Sequence, residues 1–210
     1  MKSCIKGQVF LEDNEYLRLI ADAAEVEGAE LVVEIGMGRG QLTQHLVRRS
    51  RAVVAVELEE RFVDDVGASL AGYENLTVVH ANVLDVDWAE LVPAGCKAVV
   101  VGNIPYYITG PILRTLEEER ARISRWALLV QREVAERICA TPGTKAYGAL
   151  SVKLQVGGVP YWALDVPAAA FHPRPRVDSA FVTYAFRERP CVTAEDAELF
   201  AHFVEYIFCL

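Results

Sequence analysis

Residues 31–40 read Leu31-Val32-Val33-Glu34-Ile35-Gly36-Met37-Gly38-Arg39-Gly40, and this stretch decides the fold. A run rich in β-branched residues stops at three alternating glycines, and a helical pattern begins directly after them. Glycine adopts positive φ at little cost and lets the backbone approach a ligand closely. The N-terminus of the helix that follows offers free N–H groups. The dinucleotide fingerprint G-x-G-x-x-G is not met, because Gln41 occupies the position of its last glycine. Taken alone, the loop is as readily a plain strand-to-helix turn.

Working outward, the next strand pattern ends at Glu57, about 20 positions beyond the loop, where a carboxylate can accept hydrogen bonds from ribose hydroxyls. The pattern Glu34-x-Gly36-x-Gly38-x-Gly40 then suits a loop around the amino-acid and ribose portion of S-adenosylmethionine. A third strand pattern ends in His80-Ala81-Asn82-Val83-Leu84; Asn82 can meet an adenine amino group or simply cap the turn. The fourth, Ala98–Gly102, runs into Asn103-Ile104-Pro105-Tyr106. An Asn-x-Pro-aromatic element at the end of a buried strand suits the exocyclic amine of a flipped base, and it is equally a common turn.

Strands are expected at 31–35, 52–57, 76–80, 98–102, 126–131, 161–166 and 180–186. Helices are expected at 14–26, 41–49, 59–71, 111–120, 132–139 and 147–156, and the stretch 194–210 is helix-like. The strands are nearly continuous in apolar residues, as in a parallel sheet covered on both faces. The fold class is therefore α/β, with seven strands, a late strand pair and the last strand antiparallel, the class I methyltransferase arrangement. The chain stops on apolar Ile207-Phe208-Cys209-Leu210, which reads as a helix cut before its partner.

At 210 residues the chain can hold one large α/β domain with a fragment of a second. No apolar stretch approaches the roughly 18 residues that span a bilayer, and Met1–Lys6 lacks a signal-peptide core. A cytoplasmic location and no membrane partner are expected. Five dispersed cysteines (4, 96, 139, 191 and 209) read as reduced thiols, and four dispersed histidines give no metal spacing. The formal net charge of −8 argues against nucleic-acid binding over the whole surface. Cations at Arg120, Arg122, Arg125, Arg132, Arg137, Lys145, Arg174 and Arg176 are either a local basic face or solvated helix ends.

Together these motifs resemble the KsgA-type rRNA adenine dimethyltransferases, which share their catalytic domain with the Erm rRNA methyltransferases. The matching segments run in order: Gly7–Leu11, Glu34–Thr43, Glu57, Asn103–Tyr106 with Ile108–Leu113, Gln131–Glu133, and Phe171-His172-Pro173-Arg174-Pro175-Arg176-Val177-Asp178-Ser179. Pro142–Lys145 with Tyr147-Gly148 is closer to the KsgA type than to Erm.

The resemblance implies dimethylation, with S-adenosylmethionine, of N6 on two adjacent adenosines near the 3′ end of small-subunit rRNA. The partner would be the small-subunit rRNA or a 30S-type pre-ribosomal particle, met by a monomer without a metal. Catalysis would fall to Asn103, Ile104, Pro105 and Tyr106, with Phe171 near the other face of the base. Cofactor contacts would come from Gln8, Val9 and Leu11, from Glu34, Gly36, Gly38 and Gly40, and from Glu57, Leu58, Asn82, Val83 and Asn103. Residues 1–188 would form the catalytic domain and 189–210 the linker and start of a truncated helical domain.

Two positions depart from the pattern: Val9 replaces an Asn or His, and Asn82 replaces an Asp. Two other readings stand beside this one. One is an Erm-like enzyme acting on large-subunit rRNA; the other is a weakly active or non-catalytic ribosome assembly factor.

Overall fold

The computed structural model describes residues 8–192 and 196–208. Cys4, Gly7, Cys209 and Leu210, all used in the sequence reading, lie outside them.

Nine strands and eight α-helices are described: β1 (Phe10–Leu11), α1 (Asn14–Ala23), β2 (Val32–Ile35), α2 (Thr43–Leu46), β3 (Val53–Glu57), α3 (Glu60–Ser69), β4 (Leu76–His80), α4 (Trp88–Leu91), β5 (Ala98–Asn103), α5 (Thr109–Glu118), β6 (Ile123–Gln131), α6 (Arg132–Ile138), α7 (Ala149–Gly157), β7 (Gly158–Val166), β8 (Phe171–His172), β9 (Ser179–Phe186) and α8 (Ala197–Phe208). The main sheet has seven strands in the order β4-β3-β2-β5-β6-β9-β7. The pairs from β4 through β6 are parallel, while β9 is antiparallel to both of its neighbours.

Strands β2 and β5 lie in the middle of the sheet and are covered on both faces, which explains their unbroken valine runs. Val33, Ile35, Val100, Trp126 and Leu128 pack on one face under Ile112, Leu116, Ile138 and Leu154 of α5, α6 and α7. Val32, Val99, Val101, Ala127 and Leu129 pack on the other under Leu17, Ile20 and Leu46 of α1 and α2. Trp126 stacks on Tyr184 at 4.7 Å and 10°, fixing β6 against β9. Asp13 caps α1, accepting from the N–H groups of Glu15 and Tyr16 at 2.9 and 3.3 Å.

All seven expected strands are present, with two early starts. Strand β6 begins at Ile123, where Ser124 and Arg125 interrupt the apolar run, and β7 begins at Gly158, where Gly158 and Pro160 mask it. The helix expected at 41–49 shortens to the four residues of α2, with turns around it. Sequence reading missed the single-turn α4 and the two-residue strands β1 and β8, all too short for a period to show. Among the described residues no helix is long and apolar enough to cross a membrane. The described cysteines, Cys96, Cys139 and Cys191, are free thiols.

Candidate active site

The strand order reverses between β2 and β5, and in open α/β sheets ligands bind beyond the carboxyl ends of the strands at such a point. Here that position is a cleft of about 1120 Å³, including space open to solvent. Its walls are the loop after β2, the ends of β3 and β4, the segment after β5, and Gln8–Leu11 of the N-terminal strand.

On one side of the cleft, Gly36 and Gly38 have φ of +72° and +51°. The loop is tied to the next strand: Glu57 accepts from the Gly38 N–H through Oε2 and from the Glu59 N–H through Oε1, both at 2.9 Å. One lone pair on each oxygen remains for a ligand hydroxyl. Leu58, 49% exposed, and the buried Val83 both line the cleft.

Glu34 also lines this side, is 1% exposed, and its Oε2 has no hydrogen-bond partner. Burial pushes its carboxyl from about 4.5 up to about 8. The Thr43 hydroxyl moderates the shift, although its Oγ makes no hydrogen bond, and the Glu57 charge adds to it. An orphaned buried carboxyl group facing a cleft is suited to a cationic ligand group.

Asn82 lines the cleft and is engaged in its own turn. Its Oδ1 accepts from the Leu84 N–H at 3.2 Å and its Nδ2 donates to Asp85 at 2.7 Å, so it builds the turn after β4 and sets a carboxylate beside itself.

On the neighbouring strand, Asn103 ends β5, paired with Leu129 of β6, with its carbonyl oxygen 3.8 Å from the Cβ position of Gly36. Its Nδ2 donates to the Val9 carbonyl over a long 3.4 Å, which leaves Oδ1 as the acceptor directed elsewhere. The contact uses the backbone of residue 9, so the valine there does not remove it. Ile104 is buried and anchors the turn, and Pro105 has φ −60°. Tyr106 opens a single 3₁₀ turn, with its hydroxyl 2.7 Å from Ser179 Oγ. Burial raises its phenol pKa, a shift the bond to Ser179 partly offsets.

The strap carrying Val9 closes over the glycine loop. A Cβ on Gly38 would stand 3.0 Å from the Phe10 ring, and the Arg39 guanidinium lies over that ring at 4.5 Å while pairing with Glu12 at 2.8 Å. The strap is held from below by β1–β8 pairing, Leu11 opposite Phe171.

Two of the expected site residues are not among those lining the cleft. Phe171 is buried in the core with Leu11, Val166 and Phe181, its strand β8 paired with β1. Gly40 has φ +77° and a Cβ position 3.1 Å from Val66 of α3, so packing alone accounts for a glycine there. Gln8, Val9, Leu11, Glu34, Gly36, Gly38, Glu57, Leu58, Asn82, Val83 and Asn103–Tyr106 do converge on the cleft. So do Phe10, Met37, Gln41 and Tyr107, which sequence reasoning passed over; the aromatic character of Tyr107 directly after Tyr106 was the available signal.

The cations do not form one face. Arg125 pairs with Glu25 and Arg122 with Glu119, both beside the amino end of β6. Arg132 follows the carboxyl end of β6 and pairs with Glu136 and Asp165.

Comparison with known proteins agrees with this geometry. The ribosomal RNA adenine dimethylase family matches residues 5–210. Ribosomal RNA small subunit methyltransferase A of Moorella thermoacetica is 43% identical over 97% of this chain and 73% of its own length. The protein of that name from Geobacillus thermodenitrificans is 39% identical over 96% and 70%. Among solved structures, a dimethyladenosine transferase from Plasmodium falciparum is similar at TM-score 0.85 and 26% identity, over 95% of this chain and 70% of that one. The 23S rRNA methyltransferase ErmE is similar at 0.81 and 29%, over 95% and 79%. A match of this extent, on a chain whose cleft lies at the switch point of a seven-stranded sheet, leads to one conclusion: the chain belongs to the ribosomal RNA adenine dimethylase family.

Proposed function

We propose that this chain transfers methyl groups from S-adenosylmethionine to N6 of two adjacent adenosines near the 3′ end of small-subunit rRNA. The observation that carries the reading is Asn103: its amide is oriented by the Val9 carbonyl, so Oδ1 is available to a base amine in the cleft that the glycine loop also lines.

The cleft fits the cofactor. Orphaned Glu34 suits its ammonium, Glu57 its ribose hydroxyls, and Leu58 with Val83 the faces of its adenine. When bound, the sulfonium supplies an activated methyl group. The chain's own task is to make a poor nucleophile react, because the N6 lone pair of adenine is delocalised into the ring. Asn103 Oδ1 and the Ile104 carbonyl accept the two N–H bonds and draw the nitrogen toward tetrahedral geometry. These fixed dipoles also stabilise the positive charge that develops there. Tyr106 supplies a stacking face worth roughly 1–3 kcal/mol per base. The adenosine must leave its helix to enter the cleft. After transfer, the amine proton passes to solvent at the cleft mouth.

The small-subunit assignment is supported by the names of the curated relatives near 40% identity. Residues 1–188 are the catalytic unit and 189–210 lead into a second, helical unit. Helix α8 is tied to α7 by Lys153–Glu205 at 2.6 Å, yet leaves Leu199, Phe203 and Tyr206 exposed. The test is to incubate labelled cofactor with unmethylated small subunits, large subunits and naked rRNA, then map the modified adenines. Label confined to large-subunit rRNA would move the assignment to an Erm-like activity, the reading that the likeness to ErmE favours. Cofactor binding without transfer to any of the three would point to an assembly factor.

A further inference from the structure

Ser179 is fully buried at the start of β9, 73 residues from Tyr106 in the chain, and its Oγ lies 2.7 Å from the Tyr106 hydroxyl. Its backbone stands between two strands, opposite Gln131 of β6 and Val166 of β7. The residue before it is held as well. The Asp178 carbonyl accepts from the Arg132 N–H at 3.0 Å, and its Oδ1 accepts from the Ala168 N–H at 2.8 Å. Ser179 Oγ is therefore a fixed point in the sheet.

Tyr106 has weaker local support. It sits on one 3₁₀ turn, whose bonds are Ile108 N–H to the Pro105 carbonyl and the Thr109 hydroxyl to the Tyr106 carbonyl, both 3.1 Å. Those bonds fix the backbone and leave the ring free to turn about its two side-chain torsions. Stacking on a base needs a ring of defined plane, and a phenylalanine would give equal area with no anchor at its far end. The fully buried Ser179 hydroxyl would also be unsatisfied without the half-buried phenol. With its pKa raised, the phenol stays protonated through neutral pH, so the bond persists there.

We propose that Ser179 is a positioning residue for the base-binding site: its hydroxyl fixes the plane of the Tyr106 ring against the incoming adenine. The proposal rests on the base-facing role of Tyr106 given above.

The test is a double-mutant cycle on the full chain with Ser179→Ala, Tyr106→Phe and the pair, measuring transfer to unmethylated small-subunit RNA and cofactor binding at equilibrium. RNA carrying 2-aminopurine at the target position reports base stacking by fluorescence. Each single variant is expected to lower kcat/KM about threefold to tenfold, the net worth of one hydrogen bond. The pair is expected to lose no more than either single variant, with cofactor affinity within twofold and weaker 2-aminopurine quenching. Multiplicative losses, unchanged quenching, or an equal fall in cofactor affinity would overturn it. Tyr106→Ala separates the two claims: full transfer by that variant would sink the base-facing reading itself, independently of Ser179.

Discussion

The two loops that flank the cleft follow neighbouring parallel strands, yet they are held in different ways. The loop after β2 is a local construction: positive φ at Gly36 and Gly38 shapes it, and Glu57 of the very next strand ties it down. The segment after β5 is assembled from afar. Asn103 is oriented by Val9, 94 residues away, and Tyr106 by Ser179, 73 residues away. The glycine loop and the carboxylate that ties it are thus encoded in one βαβ unit, whereas the arrangement after β5 exists only once the N-terminal strap and the antiparallel strand have docked. Local contacts form at low loop-closure cost, and distant ones depend on the whole fold.

Four measurements test that contrast. The largest effect is expected from Asn103→Ala: transfer falls about 10²–10³-fold, as for loss of one preorganised polar group in other enzymes. Cofactor affinity should stay within a few fold, and an equal loss of both would refute the division of labour. Glu57→Ala should do the reverse. It removes two bonds to a charged acceptor, so cofactor affinity falls roughly 10–100-fold, and transfer at saturating cofactor largely recovers.

Gly40→Ala tests packing without touching the cleft. The left-handed backbone costs a residue with a Cβ about 1–2 kcal/mol, and Val66 crowds the added methyl. A lower melting temperature with cofactor affinity close to unchanged is expected; a selective loss of binding would return Gly40 to the site.

The smallest effect concerns pH. The native Glu34 carboxyl holds its proton up to about 8, whereas an ordinary carboxyl releases it near 4.5. Between these values the native state binds more protons than the unfolded one, so this residue makes stability fall as pH rises through that window. Glu34→Gln should flatten that part of the melting-temperature profile; an unaltered slope would mean the carboxyl is ionised in the native state.

The same contrast explains what could be read in advance. The parallel strands were legible because burial on both faces forces continuous apolar runs, and Gly36–Gly38, Glu57 and Asn103–Tyr106 were legible because each sits at the end of such a run. The burial of Phe171 was not, since an aromatic beside a proline-rich loop looks the same in sequence whether it is exposed or packed in the core. Asn82 was open for a similar reason: an amide beyond a strand can cap its own turn or meet a ligand, and here Leu84 and Asp85 take it. The arginines were open as well, because residues close in sequence can be far apart in space: Arg125 stands near the start of β6 and Arg132 directly after its end.

From the sequence alone came the sheet, the glycine loop, a carboxylate at the end of the next strand and the residue types of the proposed amine clamp, because period, apolar continuity and glycine chemistry are local properties. Only the tertiary structure decided which atoms of that clamp are free. The Asn103 oxygen is left open because Val9 takes the amide hydrogen, the Tyr106 ring has an anchor because Ser179 waits in the sheet, and Phe171 is turned inward by two residues of strand pairing. Those outcomes depend on contacts between segments that share no local pattern, and such contacts exist only in the folded chain.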